Sequence, residues 1–187
     1  MQNLNGVVGV NSSNYYTYID GTGHKAYYKK KGILNETIPG SAYYLNEEGD
    51  DARIEIGASY TDYYRRIVEE EYIYKYNVYG ELVFICDERM SNCIFIAYNE
   101  LPSGLRVISE VSDSIGNCAL FSYENDLLKE VTINRKKVDE NGNSILEDGN
   151  AIYETALTIT YEYDNNQNLI SILELSLIHI SEPTRPY

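Results

Sequence analysis

Four segments of this chain share one residue pattern, and that repetition constrains the fold more than any other feature of the sequence. Each segment starts with Tyr followed by Asn, Glu or Asp, passes through a polar stretch to Leu, and reaches Ile or Val three residues later. The repeat-defining residues are Tyr76, Leu82 and Ile85; Tyr98, Leu105 and Ile108; Tyr123, Leu128 and Val131; and Tyr163, Asp164, Leu169 and Ile172. A unit this short cannot bury its own apolar face, so neighbouring copies are expected to stack.

Within the segments, residues of similar character recur at every second position, which predicts β-strands rather than helices. The expected shared strand faces are Tyr72, Tyr74 and Tyr76; Ile94, Ile96 and Tyr98; and Leu157, Ile159, Tyr161 and Tyr163. Twenty Tyr residues and no Trp favour a pleated, half-buried surface. The predicted fold class is therefore all-β, a curved antiparallel sheet of stacked β-hairpin repeats.

The spacing of the repeat Tyr residues shows where the array is interrupted. SNCIFIAYNE (91–100) aligns with GNCALFSYEN (116–125) without a gap, whereas the last spacing is longer because a segment at about 134–155 precedes the fourth copy. That segment contains Asn141-Gly142 and Asp148-Gly149, dipeptides typical of two-residue hairpin turns. We expect it to form an added hairpin on one side of the sheet.

The last residues of the chain, 175–187, differ in character from everything before them. LSLIHISEPTR (175–185) is the translation of the transposon-end adapter that is ligated to DNA fragments in sequencing libraries. An eleven-residue match leaves little room for chance. We therefore interpret residues 175–187 as foreign to the native protein, exclude them from fold reasoning, and expect the native frame to continue past Glu174.

The pattern YDxxGxLxxI, with a Gly-Asn turn leading into the next strand, resembles the YD repeat of the RHS family. That family includes bacterial RHS proteins, insecticidal toxin-complex shells and animal teneurins. YIDGTGHKAYYKKKG (18–32) and AYYLNEEGD (42–50) resemble the stretch before the array in RHS proteins of Gram-positive bacteria. The resemblance implies an N-terminal β region at 1–75 and YD-like repeats at 76–174.

Individual copies depart from the family pattern. The Asp of YD is Asn77, Asn99 and Glu124 in three copies, and the turn Gly is Gln167 in the fourth. These departures weaken single matches more than they weaken the array, because the Tyr, Leu and Ile or Val register persists in all four copies.

The resemblance implies a structural function with no catalytic, cofactor-binding or metal-binding residue in this segment. Repeats of the family coil a β-sheet into a hollow shell around a variable C-terminal toxin. The implied partners are further repeats and a toxin domain of the same chain, in a secreted or bacterial cell-surface protein. A net charge of -14 argues against nucleic acid and anionic membranes as partners, and no apolar run is long enough for membrane insertion.

Two other kinds of site are conceivable from the residues. Tyr rings stack on sugar faces, so cell-surface glycans are the alternative partner, although Tyr at a fixed repeat register favours packing. Asp139, Asn141 and Asn143 alternate like calcium ligands, but Ser144 and Asn150 stand where an EF-hand loop requires Gly and Glu. Turn chemistry explains these residues without a metal.

No residue carries a specific catalytic pattern. His24 has no accompanying Ser or Cys motif, so a structural role is favoured; the 29 acidic residues give no specific pair, and the run at 69–71 is expected to be solvated. Cys93 and Cys118 occupy equivalent repeat positions, two strands or about 9.5 Å apart, beyond the roughly 7 Å that a disulfide spans. We therefore expect Cys93 and Cys118 to be free, partly buried thiols, whereas the sequence leaves the thiol state of Cys86 open.

Overall fold

The computed structural model describes residues 7–12, 15–38, 40–49, 52–57, 64–68, 72–77 and 79–176. This part of the chain consists of antiparallel strands, turns and loops, which confirms the predicted all-β fold class. Within these ranges there is no helix long and apolar enough to cross a membrane. The predictions for the acidic run at 69–71 and for the tail from 177 onward lie outside the described residues.

The chain divides into two compact units, Met1–Ile96 and Ala97–Tyr187. In the first unit each strand pairs antiparallel with the next along the chain. Its strands are β1 Val7–Ser12, β2 Tyr15–Ile19, β3 Lys25–Gly32, β4 Ala42–Asn46, β5 Arg53–Ile56, β6 Tyr64–Val68, β7 Tyr72–Tyr76, β8 Leu82–Asp87 and β9 Cys93–Glu100, which continues into the second unit. Consecutive antiparallel pairing of this kind is a meander.

In the second unit, β10, β11, β12, β15 and β16 pair in that order, and β13 pairs with β14. The strands are β10 Arg106–Asp113, β11 Cys118–Glu124, β12 Leu127–Lys136, β13 Leu146–Glu147, β14 Asn150–Ala151, β15 Tyr153–Tyr163 and β16 Leu169–Ser176. β16 extends through Leu175 and Ser176 of the adapter-like segment, which pair with β15. The predicted boundary between the N-terminal β region, 1–75, and the repeats, 76–174, was drawn from the repeat pattern. The division into compact units does not test that pattern, so the boundary stays a prediction.

A tyrosine-rich core occupies the first unit. Its most completely buried large side chains are Tyr28, Ile54, Tyr76, Leu82 and Cys86. The rings of Tyr16 and Tyr44 meet edge to face with their centroids 4.7 Å apart, an arrangement that aromatic quadrupoles favour. Alternate positions on β8 are buried, so this strand behaves as a half-buried strand should.

The second unit buries much less apolar surface. Val131, 9% exposed, is the most buried apolar side chain among its described residues. On β16, Leu169, Ile170, Ile172 and Leu173 are 49–64% exposed. The described part of this unit is therefore held mainly by strand pairing and by its turns.

The segment between β12 and β15 forms two short hairpins at one end of the sheet. Its base is closed by the Lys137 N–H, which donates to the Ile152 carbonyl oxygen at 2.9 Å. Asp148 and Gly149 form the turn between β13 and β14, and both have a positive φ, 50° and 82°. This is the two-residue turn that the Asp-Gly dipeptide predicts.

The second predicted two-residue turn, at Asn141-Gly142, is wrong. Gly142 has a φ of 82°, but Asn141 is not left-handed, and the turn spans five residues from Asp139 to Asn143. The reason is the Asp139 carboxylate, which accepts the backbone N–H groups of Asn141 and Asn143 at 2.9 and 2.8 Å. These bonds stabilise a longer turn than the dipeptide alone predicts.

Candidate functional site: the repeat hairpins

The repeat-defining Tyr and Leu face each other across paired strands in three of the four copies. The pairs are Tyr76 with Leu82, Tyr123 with Leu128, and Tyr163 with Leu169. In each hairpin the register shifts at this pair, and the residue after Leu is left without a direct partner. These unpaired residues are Val83, Lys129 and Ile170. Each is a β-bulge, which bends the strand and increases its twist.

The residue three positions after Leu also has an equivalent partner in these three copies. The pairs are Ile85 with Tyr74, Val131 with Phe121, and Ile172 with Tyr161. Each joins a β-branched side chain to an aromatic one, a cross-strand pairing that contributes about 0.2–1 kcal/mol. The sequence analysis placed Tyr74 and Tyr161 on strand faces but did not identify this cross-strand pairing, and the corresponding residue of the second copy is Ile96.

The second copy closes its turn through backbone bonds. Tyr98 lies on β9 and Leu105 immediately precedes β10. The Leu101 N–H donates to the Leu105 carbonyl oxygen at 2.8 Å, and the Gly104 N–H donates to the Leu101 carbonyl oxygen at 2.8 Å. Gly104 has a φ of 83°, which a residue without a side chain adopts without strain.

The hydroxyls of two repeat Tyr residues bind the backbone of the preceding copy. Tyr123 donates to the Ile108 carbonyl oxygen at 2.8 Å, and Tyr163 donates to the Leu128 carbonyl oxygen at 2.9 Å. Burial raises the pKa of the Tyr123 hydroxyl above its ordinary value of 10.0. Since Tyr76 is also almost fully buried, these repeat positions contribute packing contacts between neighbouring strands.

The predicted shared face of β7 is only partly reflected in burial. Tyr76 is buried, but Tyr72 is 47% exposed, and the other buried residue on the strand is Ile73. The burial pattern along β7 therefore does not alternate strictly, although that of its partner β8 does. Simple period-two counting could not place these side chains correctly.

A five-residue turn that begins with Asp and ends with Asn occurs three times in the described part of the second unit, at 113–117, 139–143 and 164–168. The Asp N–H donates to the Asn carbonyl oxygen at 2.8–3.0 Å. The Asp carboxylate accepts the Asn backbone N–H at 2.8–2.9 Å and the Asn side-chain amide at 2.8–3.2 Å. The same spacing of Asp and Asn therefore accompanies the same hydrogen-bonded turn at all three places.

The fourth residue of this turn adopts a left-handed conformation. Gly116 and Gly142 have φ values of 98° and 82°, and Gln167 has a φ of 65° in the fourth copy. Gln167 thus occupies the Gly position that the sequence analysis assigned to it. A side chain in this conformation costs roughly 1–3 kcal/mol, which the surrounding turn must offset.

Two turns of the first unit are variants of the same design. In the turn at 20–24, the His24 N–H donates to Asp20 Oδ1 at 3.0 Å, which makes His24 a turn-closing residue. In the turn at 77–81, the Glu81 N–H donates to Asn77 Oδ1 at 3.0 Å, and Asn77 Nδ2 donates to Glu81 Oε2 at 2.7 Å. An Asn can therefore replace the first Asp when a carboxylate stands at the last position.

Hydrogen bonds lower the pKa of the turn carboxylates. The Asn168 side-chain amide is the main cause at Asp164, and the Asn143 backbone N–H is the main cause at Asp139. At Asp113, burial raises the pKa, but hydrogen bonds from the 115–117 segment together outweigh it. The Asp139 oxygens thus serve the turn, and the described residues contain no group of three or more His, Cys, Asp or Glu arranged for a metal ion.

Cys86 and Cys93 form a disulfide, with their Cα atoms 4.2 Å apart, so the expectation of a free thiol is wrong for Cys93. Cys118 is free. The disulfide joins directly opposed residues of β8 and β9, next to the Asp87 N–H that donates to the Asn92 carbonyl oxygen at 3.2 Å. Comparing equivalent repeat positions hid this pair, which the hairpin spacing of Cys86 and Cys93 would have indicated.

Comparison with known proteins adds no family assignment. A scan of protein-family models and a search of curated proteins found no match to this chain. The resemblance to RHS repeats therefore stays a prediction that depends on the residues described above.

Proposed function

We propose that this chain is a non-catalytic structural segment of an RHS-type YD-repeat protein, and that it contributes strands to a β-shell which encapsulates or displays a C-terminal toxin domain. The observation that carries this proposal is the shared register of three hairpins. Each has Tyr opposite Leu, a bulge after Leu, and an aromatic side chain opposite Ile or Val. A recurring register lets one copy pack on the next by the same contacts, as repeat arrays require.

The exposed apolar side chains of β16 support further repeats of the same chain as the partner. Four apolar residues of this strand are about half exposed or more, and such surface marks an interaction site when it is contiguous. An additional hairpin packed against β16 would cover it.

The disulfide supports a secreted or cell-surface location. Cys86 and Cys93 are 1% and 6% exposed, so their bond belongs to the core of the first unit. Structural disulfides persist mainly in oxidising compartments. The net charge of -14 is compatible with this location and unfavourable for nucleic-acid binding.

The first test is a long sequencing read across the source locus, from upstream of the Met1 codon to beyond the Glu174 codon. We expect the frame to continue through more YD units into a compositionally distinct C-terminal region. A frame that stops soon after Glu174 would contradict the shell proposal.

The second test uses the extended protein that such a read would define. Deleting Lys129 removes the residue that has no direct partner, so the other pairs of β11 and β12 can be kept while the bend and the extra twist of the bulge are lost. We expect protease to digest the C-terminal domain of this variant faster, whereas Lys129→Ala should protect that domain like the parent protein. Equal digestion of the deletion variant and the parent would argue against enclosure by these repeats.

A further inference from the structure

Two Asn residues of the second unit occupy the same position in two copies of the five-residue turn. Asn141 is the third residue of the turn at 139–143, and Asn166 is the third residue of the turn at 164–168. The backbone N–H of each Asn donates to Oδ1 of the Asp that begins its turn, at 2.9 and 2.8 Å. The N–H of the residue after each Asn donates to the carbonyl oxygen of the same Asp, at 3.0 and 2.9 Å. The backbone hydrogen bonds around the two Asn residues are therefore closely matched.

The side chains of Asn141 and Asn166 are also in equivalent surroundings. Both residues are exposed, and neither carboxamide forms a hydrogen bond within the part of the chain that the structure describes. By contrast, the side-chain amide of Asn143 donates to Asp139 Oδ2 at 3.2 Å. The carboxamides of Asn141 and Asn166 can therefore rotate toward the backbone nitrogen of the residue that follows them.

The residue that follows each Asn distinguishes the two positions. Gly142 and Gln167 both have a positive φ, 82° and 65°, but only Gly142 lacks a side chain. A Cβ built at Gly142 would meet no heavy atom within 4 Å beyond its neighbours in the chain. At Gln167 a side chain stands beside the backbone nitrogen and hinders its approach to a carbonyl carbon. The two turns thus form a matched pair that differs at the attacking residue.

We propose that Asn141 is a deamidation site, at which the backbone nitrogen of Gly142 attacks the carboxamide carbon. A bond forms between that nitrogen and Asn141 Cγ, and the nitrogen gives its proton to solvent. The bond from Cγ to Nδ2 breaks as Nδ2 takes up a proton and leaves as ammonia. Water then opens the cyclic imide at either carbonyl and leaves aspartate or isoaspartate at position 141. This modification goes beyond the structural function above and needs no reactant other than water.

The hydrogen bond of the Gly142 N–H controls the rate of the first step. This N–H donates to the Asp139 carbonyl oxygen at 3.0 Å, and the bond must open before the nitrogen can lose its proton. The turn lies at an exposed hairpin end, where local opening costs much less free energy than global unfolding. The reaction therefore proceeds in the folded chain, although more slowly than in an unfolded peptide of the same sequence.

Deamidation changes the turn in two ways. The product carries a new carboxylate two residues from Asp139, and the two like charges repel. An isoaspartyl link also adds one carbon to the backbone of a turn whose ends are joined by the Asp139 N–H, which donates to the Asn143 carbonyl oxygen at 2.8 Å. Both changes weaken the turn at the end of its hairpin.

The experiment is incubation of the full, folded chain at mildly alkaline pH and physiological temperature, followed by protease digestion and mass spectrometry. We expect Asn141 to convert about tenfold or more faster than Asn166, because Gly lacks the side chain that shields the attacking nitrogen. Part of the product should be isoaspartate, which fragmentation distinguishes from aspartate. The other Asn-Gly pair of the sequence, Asn5-Gly6, lies outside the described residues and is followed in its own peptide.

Exchanging the residues that follow the two Asn residues provides the matched variants. Gln167→Gly should raise the conversion of Asn166 toward that of Asn141, and Gly142→Gln should lower the conversion of Asn141 toward that of Asn166. Asn150, which is exposed and precedes Ala, is the reference that should change in neither variant. Circular dichroism and thermal unfolding establish that each variant is folded, and Gln167→Gly alone decides the test if Gly142→Gln does not fold.

Three outcomes would overturn the proposal. The first is equal conversion of Asn141 and Asn166 in the parent chain, and the second is unchanged conversion of Asn166 in Gln167→Gly. The third is a product at position 141 that contains aspartate without isoaspartate, which would show direct hydrolysis by water instead of attack by the Gly142 nitrogen. None of these outcomes bears on the shell proposal, whose tests concern the reading frame and protease protection.

Discussion

The two units use one kind of hairpin to reach different states of burial. Tyr76 and Tyr163 occupy the same repeat position and each pairs with the Leu of its own copy. Tyr76 is 1% exposed, whereas Tyr163 is only half-buried. The difference teaches that the repeat register specifies strand pairing, while burial depends on what packs over the sheet.

Truncating these two Tyr residues should give the largest effect and test the comparison directly. Tyr76→Ala should lower the free energy of unfolding of the first unit by about 3–5 kcal/mol, because it leaves a cavity in a packed core. Tyr163→Ala should cost about 1–2 kcal/mol through one hydrogen bond and partial burial. Denaturant unfolding followed by circular dichroism measures both.

Tyr27→Ala, at a side chain 43% exposed, is the control for the loss of a Tyr without a core cavity. Equal costs at Tyr76 and Tyr163 would show that the two units do not differ in burial as described.

Removing the disulfide should have the next largest effect, confined to the first unit. Cys86→Ala/Cys93→Ala should lower the free energy of unfolding by about 2–3 kcal/mol, since the bond closes a short loop and its entropic effect lies toward the low end of the usual range. Cys118→Ala serves as the control and should change stability little. If a free-thiol assay on the unfolded, unreduced protein detected three thiols, the disulfide would be absent.

The all-β fold class could be predicted because alternation and turn residues act locally, within ten residues of each other. The positions of the bulges could not be predicted, because the side chains of Val83, Lys129 and Ile170 share no chemical character. Their position depends on the length of the turn and the pairing of both strands, which a single strand pattern does not contain. The Cys86–Cys93 disulfide was not predicted for a related reason, because it depends on which residues lie opposite each other across a turn.

Acid should destabilise the second unit through its three Asp-to-Asn turns. The pKa of Asp113, Asp139 and Asp164 is lowered in the folded state from an ordinary value of 3.8. The stabilisation is therefore fully present above pH 3.8 and is lost as the pH falls through the lower folded pKa values. Unfolding midpoints measured between neutral and strongly acidic pH should show this decrease.

The triple variant with Asn at these three positions sharpens that test. Asn77 already accepts turn N–H groups through its side-chain oxygen, so Asn should keep the bonds to backbone N–H groups while removing the titration and the bond from the last Asn side-chain amide. The variant should show a flatter pH dependence of the unfolding midpoint than the parent protein. An unchanged slope in the triple variant would assign the acid effect to other groups.

The smallest effect concerns the left-handed turn position. Gln167→Gly should stabilise the second unit by about 0.5–1 kcal/mol, because Gly adopts the left-handed conformation without strain. The greater conformational entropy of Gly in the unfolded chain offsets part of this gain. Gly142→Gln should have the opposite sign, although open space surrounds Gly142. Thermal unfolding of the two variants would contradict this view if both shifts had the same sign.

The candidate site was foreseen in part. The repeat pattern identified Tyr, Leu and Ile or Val as the defining residues, and the structure places them opposite specific partners in three copies. The hydroxyl bonds of Tyr123 and Tyr163 were not foreseen, because their acceptors are backbone carbonyl groups that carry no sequence identity.

The segment between β12 and β15 has a practical consequence for protein engineering. Its base is closed by the bond between Lys137 and Ile152, and the sheet pairing of β12 with β15 begins immediately before that bond. Residues beyond the base can therefore be exchanged without changing the register of the sheet, as exposed hairpin tips usually allow. An epitope or affinity peptide grafted in place of residues 139–149 would be displayed at a fixed end of the repeat sheet.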